Sequence, residues 1–451
     1  MDPLIRSISG LRGIAGTSFN DETLISHINA FLSLQNKGTI LLARDGRLHG
    51  IEFLDICYKT ITEAGFDVID CGIIPTPTAQ FLVKENNYSG GLLLTASHNP
   101  TEWNGLKFLD EGGCFVNPEK TQLLLDKADE KLSTKSESIG KISKNDDFWK
   151  DHLNHTLNLS CIDAQLIKSK NFKVVIDAVN SAGSEIIPNL LEELNCEVIK
   201  INCESTGEFV RGAEPLPENL SQLSQKVKSE MTDFGLATDP DADRLAIVDE
   251  KGNPLGEEFT LAIAIDGFLQ NSKNKDPVVV NLSTSLLSEF SCKKHNVDLV
   301  RAKVGEINVV EEMKALNSEI GGEGNGGVIL KESHLGRDSV VATALVLNHF
   351  ANQNSPVSEI KNTFPDYQLV KDKVSIDGLN PDLILSQIKE KFTDAEIDER
   401  DGLKLTWQKK WIHIRKSNTE PIMRIYAEAE SSDEISSNIN IIKNIIEDSR
   451  G

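Results

Sequence analysis

Lys173-Val-Val-Ile-Asp177, then a helical pattern from Ser184 to Leu194, then Cys196-Glu-Val-Ile-Lys-Ile201, is the stretch that decides the fold. A short apolar run rich in β-branched residues predicts a strand buried on both faces. The helical spacing after it and the second run predict a βαβ crossover. The same pattern occurs twice more. Upstream, Gly38-Thr-Ile-Leu-Leu-Ala43 reads as a strand, Gly50 to Ala64 as a helix, and Phe66-Asp-Val-Ile-Asp-Cys-Gly72 as the return strand. Downstream, Pro277-Val-Val-Val-Asn-Leu282, the stretch Thr284 to Lys294, and Val297-Asp-Leu-Val-Arg301 repeat the order. The likeness is one of pattern, and its period is too long for a solenoid. The tail differs. Trp411-Ile-His-Ile-Arg415 and Ile422-Met-Arg-Ile-Tyr-Ala427 alternate as strands around a polar loop, and a helical pattern runs from Ser432 to Asp448. The expected fold is α/β: three similar α/β domains with mixed sheets, plus a smaller α+β C-terminal domain, around a central cleft.

Length agrees with this division. The 451 residues hold about three domains at roughly 150 residues each, or four if some are small. The expected domains are 1–155, 156–254, 255–366 and 367–451. The breaks fall in the polar 140s and 150s, near Gly252-Asn-Pro-Leu-Gly256, and near Phe364-Pro-Asp-Tyr367. Lys127 to Lys144 reads as a solvated helix face and loop. With 47 Lys+Arg against 69 Asp+Glu the net charge is −22, which excludes a phosphate-backbone binder and hence a nucleic-acid partner. An anionic small substrate fits only if its site concentrates positive charge locally. The seven cysteines form no CxxC pair and read as reduced thiols. The chain opens Met1-Asp2-Pro3 without an apolar segment, and no run approaches the roughly 18 apolar residues of a membrane span. A cytoplasmic protein without a membrane partner is expected. No feature of the sequence specifies an oligomeric state.

Asp239-Pro-Asp241-Ala-Asp243-Arg244 is the strongest local signal. Carboxylates at i, i+2 and i+4 in a tight loop can converge on one hard divalent cation. An EF-hand is the competing reading, with Glu250 at its twelfth position. It fails at the sixth, where Arg244 replaces the required Gly, and its flanks read as strands. An acidic turn is the plainer reading. Mg²⁺ usually also takes a phosphate oxygen, which Arg244 could hold bidentately.

Thr95-Ala-Ser97-His98-Asn99-Pro100 follows Leu92-Leu-Leu94, so a strand delivers Ser97 to a loop at its C-terminal end, where open α/β sheets build sites. A Ser/Asn-Pro turn is the alternative. A serine hydrolase lacks support, because the chain has no G-x-S-x-G, nor has it a G-x-x-x-x-G-K-[ST] loop for ATP. Gly321-Gly-Glu323-Gly-Asn325-Gly-Gly327 offers a carboxylate and an amide for hydroxyl or amine groups, as on a sugar, or is a flexible loop. Arg415-Lys416-Ser417-Asn418-Thr419-Glu420-Pro421 supplies a guanidinium fork and hydroxyls suited to a phosphate dianion, or is a surface turn. Ser9-Gly10-Leu11-Arg12-Gly13 places another Arg in a Gly-flanked loop.

Taken together, the strand-end serine, the three-Asp loop, the polar Gly loop and the phosphate loop come one from each proposed domain. In this the sequence resembles the α-D-phosphohexomutase superfamily, whose four-domain enzymes move phosphate between O1 and O6 of a hexose. TASHNP, DPDADR and RKSNTEP carry the resemblance, which covers essentially the whole chain. It implies that Ser97 is a phosphoserine and that Mg²⁺ is held by its phosphate with Asp239, Asp241 and Asp243. It implies a hexose 1,6-bisphosphate as intermediate and activator, and a small sugar phosphate as substrate. Arg12, His98, Lys107 and Arg244 match positions around the transferring phosphate, with Lys107 the general acid/base candidate. Glu323 and Asn325 match the sugar-hydroxyl loop, and Lys303-Val304-Gly305 resembles a loop flanking the sugar. Arg415, Ser417, Asn418 and Thr419 match the grip on the other phosphate.

Asn325 resembles the GEENGG form of archaeal-type phosphoglucosamine mutases, where many glucose- and mannose-directed members carry Ser. The resemblance therefore implies conversion of glucosamine 6-phosphate to glucosamine 1-phosphate, with phosphoglucomutase/phosphomannomutase activity as the alternative. Gly327 replaces a His found in several relatives, and SGLRG replaces the commoner DGIRG. A phosphatase acting on the Ser97 phosphate and a non-catalytic sugar-phosphate binder are the readings from other classes. The presence of Ser97 and all three Asp argues against the binder.

Overall fold

The computed structural model describes residues 2–144, 147–273, 275–417 and 421–450. Four sheets follow one another along the chain. The first contains β1 (Leu4–Ser7), β2 (Gly10–Ile14), β3 (Thr39–Arg44), β4 (Asp67–Ile73), β5 (Gly90–Leu94), β6 (Trp103–Leu109) and β7 (Ile142–Lys144). The second contains β8 (Lys173–Asp177), β9 (Glu197–Ile201), β10 (Phe234–Thr238) and β11 (Leu245–Asp249). The third contains β12 (Val278–Asn281), β13 (Leu299–Ala302), β14 (Ile320–Glu323) and β15 (Gly327–Leu330). The fourth contains β16 (Gln368–Ser375), β17 (Glu396–Asp398), β18 (Leu403–Trp407), β19 (Lys410–Lys416) and β20 (Ile422–Ala429).

The first three sheets share one core topology. The spatial orders β6-β5-β3-β4, β11-β10-β8-β9 and β15-β14-β12-β13 are the same path drawn three times. In each, three strands run parallel and the fourth returns antiparallel as a hairpin from the third. The apolar runs Val174–Ile176 and Val278–Val280 are fully buried, as strands covered on both faces require. The first sheet is widened by the antiparallel pair β1–β2 on one edge and β7 on the other. The fourth sheet is wholly antiparallel, in the order β16-β20-β19-β18-β17. Three α/β domains and an α+β C-terminal domain are thus observed.

One apolar cluster runs without a break through the first three domains, from Leu41 and Phe81 through Leu190 and Leu236 to Leu261, Val341 and Phe364. At its centre the helix Ser339–Gln353 is buried on every side from Ser339 to Ala351, so it shows no amphipathic stripe. The C-terminal domain has a core of its own. There the helix Ser432–Asp448 lays Ile435, Ile439, Ile442 and Ile446 on the sheet at helical spacing. Ile442 is completely buried. Ile442→Ala should therefore cost about 2–5 kcal/mol by leaving a cavity, read as a lowered urea midpoint. A loss below about 0.5 kcal/mol, the scale of an ordinary surface substitution, would mean that the helix is not seated as described.

Candidate active site

The loops singled out in the sequence share one topological address. Residues 95–102 join β5 to β6, residues 239–244 join β10 to β11, and residues 324–326 join β14 to β15. Each is the hairpin that follows the third parallel strand of its domain, at the strand's C-terminal end. The fourth loop joins β19 to β20. Of its predicted residues, Asn418 and Thr419 lie outside the described residues.

Three of these loops meet around buried charge. Asp239, Asp241 and Asp243 are at most 1% exposed. Each offers a carboxylate oxygen within 4.8 Å of the others. Lys107 Nζ of β6 donates to Asp241 Oδ2 at 2.5 Å and stands 3.7 Å from Asp243 Oδ2. Thr76 binds the same residue twice, its hydroxyl donating to Oδ2 at 2.8 Å and its backbone N–H to the carbonyl at 2.9 Å. Arg337 donates to Asp243 Oδ2 at 2.6 Å, to Glu323 Oε2 at 3.0 Å and to Glu306 Oε2 at 2.9 Å. One guanidinium therefore joins the three-Asp loop to the Gly-rich loop. Burial alone would raise Asp241, but Lys107 and the Thr76 hydroxyl hold it below the usual carboxylate range. Asp239 is pushed well above that range by burial and by the charges of Asp243 and Asp241.

The donor set fits a hard cation. Asp239 Oδ2, Asp241 Oδ1 and Asp243 Oδ1 are buried without hydrogen-bond partners among the described residues. Three orphaned carboxyl oxygens in one loop are costly unless protons or a cation satisfy them.

Ser97 is 1% exposed and holds φ +51°, a left-handed conformation that costs energy in a residue with a side chain. The loop is pinned from behind. Arg47, 1% exposed, donates to the carbonyls of Ser97, Asn99, Pro100 and Trp103, and pairs with Asp45 at 3.0 Å. Asp45 accepts from Thr95, whose hydroxyl accepts the Ser97 N–H at 2.9 Å. Ser97 Oγ lies 3.5 Å from His98 Nδ1, and Arg244 Nη2 donates to that nitrogen at 3.1 Å. The Arg244 charge and burial hold His98 well below its ordinary value, so the ring is neutral at pH 7. Arg244 also pairs with Glu214 at 2.6 Å. Arg12 donates to Asn99 at 3.0 Å.

A cavity of about 400 Å³ beside these groups is bounded by all four domains; Ser97 and the three aspartates are buried and are not among the residues that line it. Arg12, His98, Lys107, Arg244, Glu323 and Asn325 line it. Glu323 is already held by Asn281 at 2.8 Å and the Gly305 N–H at 2.9 Å, besides Arg337. The C-terminal domain contributes Lys371, Arg424 and Tyr426. Lys303 is exposed, and its neighbours Val304 and Gly305 line the cavity in its stead. Arg415 pairs with Asp401 at 3.0 Å, and Asp401 also accepts the Val304 N–H at 2.9 Å. Ser417 is half-buried and donates its backbone N–H to Ile422 at 2.9 Å. Arg47, Thr76, Arg337, Lys371 and Arg424 were not foreseen. A lone Arg or Thr in sequence carries no signal of a partner 50 to 250 residues away, although Arg44-Asp-Gly-Arg47 directly after β3 was a loop worth reading.

The chain matches four family models in succession. They are the phosphoglucomutase/phosphomannomutase α/β/α domains I, II and III, at residues 5–135, 150–252 and 257–367, and the C-terminal domain at 377–439. A Thermococcus kodakarensis protein described as a phosphoglucomutase/phosphomannomutase is 34% identical over 434 residues, 94% of each chain. A Sulfurisphaera tokodaii protein described as a phosphoglucosamine/phosphogalactosamine mutase is 32% identical over 447 residues, 97% of this chain and 98% of that one. Among solved structures, a phosphoglucomutase/phosphomannomutase family protein from Burkholderia thailandensis shares the fold with a TM-score of 0.85. It is 22% identical, with 99% of this chain and 98% of that one covered. Fold, loops and relatives together define an enzyme of the phosphohexomutase class, an intramolecular phosphotransferase. Within that class the chain belongs to the phosphoglucomutase/phosphomannomutase family.

Arg337→Met should destabilise the protein by about 3–5 kcal/mol, because it strands three buried carboxylates. Chemical denaturation measures this. A loss under about 1 kcal/mol, the worth of an exposed pair, would show that Arg337 does not carry the junction between the two loops.

Proposed function

We propose that the protein interconverts glucosamine 6-phosphate and glucosamine 1-phosphate through a phosphoserine at Ser97 and a bound hexose 1,6-bisphosphate. One observation carries the reading: two groups of cations face one closed-in cavity from different domains. Arg12, Lys107 and Arg244 come from the first two, and Lys371 and Arg424 from the C-terminal sheet. A substrate with phosphate at either end of a hexose needs such a pair of grips.

In this scheme the Ser97 Oγ–P bond breaks as a bond forms to O1 or O6 of the sugar, and the reverse step returns the other phosphate. Asp239, Asp241 and Asp243 would hold Mg²⁺, which when bound neutralises charge on the phosphoryl oxygens. Neutral His98 keeps Arg244 aimed beside Ser97. Lys107 is the proposed general acid/base, and Arg12 holds the phosphate mouth of the loop. Glu323 and Asn325 take sugar hydroxyl or amine groups. Arg415, Ser417, Asn418 and Thr419 grip the phosphate at rest together with Lys371 and Arg424. Remote grip energy then orients the reacting end. The amino sugar is supported by Asn325 and by the description of the Sulfurisphaera tokodaii relative. The Thermococcus kodakarensis relative favours the second reading, a phosphoglucomutase/phosphomannomutase. A reducing, cytoplasmic setting accompanies the proposal, supported by seven cysteines that form no disulfide among the described residues.

Ser97→Ala should lower mutase turnover by about 10³-fold or more, roughly 4 kcal/mol of barrier. A coupled assay on glucosamine 6-phosphate, glucose 1-phosphate and mannose 1-phosphate, with a trace of hexose bisphosphate, measures it. Full turnover by the variant refutes the phosphoserine. Chelation should abolish the wild-type rate and Mg²⁺ should restore it. Indifference to chelator removes the metal from the scheme.

A further inference from the structure

Gly324 sits between Glu323 and Asn325 in the Gly-rich loop. Its φ lies outside the left-handed region, so its backbone does not demand glycine. Space does. A Cβ at this position would stand 2.0 Å from Glu258 Oε2 and 2.3 Å from its Oε1 and Cδ. The missing side chain is what lets the Glu258 carboxyl, from the first turn of the helix Glu257–Asn271, reach the cavity wall beside Asn325.

The partners of Glu258 are few. Oε2 accepts the Ser285 N–H at 2.9 Å. Oε1 has no hydrogen-bond partner among the described residues, and no ion pair there reaches Glu258. The nearby ammonium of Lys371 is hydrogen-bonded to Glu257 instead. The charged groups facing Glu258 are Lys371, Arg301, Glu257 and Glu428. Burial pushes its carboxyl up to about 8, with Lys371 opposing. Empty, the group is therefore largely neutral and does not repel a sugar phosphate. A cation seated against it draws out the charged form. A hydroxyl gives no such return for burying a carboxylate.

We propose that Glu258 is a specificity-determining residue whose Oε1 receives the ammonium group of an aminated sugar phosphate, in room left by Gly324. This rests on the amino-sugar reading above.

The test is the ratio of kcat/KM for glucosamine 6-phosphate to that for glucose 6-phosphate, measured on one preparation so that the folded fraction cancels. Glu258→Gln should lower the ratio roughly 30-fold, the scale of one charge-assisted hydrogen bond. Gly324→Ala, which displaces the carboxyl without removing it, should lower it in the same direction and serves if the first variant does not fold. An unchanged ratio in both variants, whatever the absolute rates, overturns the proposal while leaving the amino-sugar reading intact. Wild-type enzyme that turns over glucose 6-phosphate but not glucosamine 6-phosphate overturns both.

Discussion

Three carboxylates sealed in one loop set the terms for the rest of the molecule. Asp239, Asp241 and Asp243 cannot sit in a low-dielectric interior uncompensated, since each buried unpaired charge costs on the order of several kcal/mol. Their own loop supplies Arg244, whose Nε stands 3.6 Å from Asp243 and 3.9 Å from Asp239, and the backbone N–H groups of Asp243 and Arg244, which donate to Asp239 Oδ1 at 3.1 and 3.2 Å. The rest of the compensation arrives from other domains, as Lys107 and Thr76 of the first and Arg337 of the third. Docking the three α/β domains and assembling the charged centre are thus one event. The unbroken apolar cluster through those domains holds the geometry that the charges require.

The threefold recurrence of one topology explains why these loops meet at all. A hairpin after the third parallel strand projects from the same edge of each domain, so packing three such edges together brings their loops to one place. Close approach has structural costs that the chain meets locally. Ser97 and Ala242, both with φ +51° and both buried, hold strained backbone within two of these loops. The surrounding bonds over-determine both. Arg47 gathers four carbonyls behind Ser97, and Ser339 Oγ donates to the Ala242 carbonyl at 2.6 Å. Gly207, with φ +75°, lets the second domain press on the Asp45–Arg47 loop, where a Cβ would come within 2.1 Å of the Gly46 carbonyl oxygen.

Much of this was legible in the sequence because it is local. The strands Lys173–Asp177, Phe234–Thr238 and Leu245–Asp249 coincide with the apolar runs read for them, since a strand covered on both faces has no choice but to be apolar. The helices are off by a residue or two at their ends. The pair β1–β2 escaped notice because Leu4–Ile14 is short and mixed in polarity. The helix Ser339–Gln353 did too, since burial on all sides erases its period. Among site residues, the loops were visible as motifs, whereas Arg337 and Lys371 were not. Their role is defined by what other parts of the chain bring to them, and nothing in their own neighbours encodes it. Lys303 shows the converse. A motif gives the address of a loop, and the structure then decides which of its side chains faces the cavity.

The C-terminal domain is attached by different physics. Its core is separate, and its links to the third domain are polar. Val304 N–H donates to Asp401, the Ser283 hydroxyl meets His413 at 2.8 Å, Leu286 N–H donates to Glu428 at 2.8 Å, and Lys371 pairs with Glu257. Water can replace such bonds at small net cost, whereas it cannot replace buried apolar contact. Separating this domain from the third is therefore far cheaper than separating the first three from one another. That asymmetry suits the proposed chemistry. In that scheme a hexose bisphosphate would reverse its direction without leaving, with one wall of the cavity yielding while the centre proposed to hold the transferring phosphate stays fixed. The wall that would yield carries Lys371 and Arg424, the proposed grips for the phosphate at rest. The side that would stay carries His98, Lys107 and Arg244, with Ser97 and the three aspartates buried beside them.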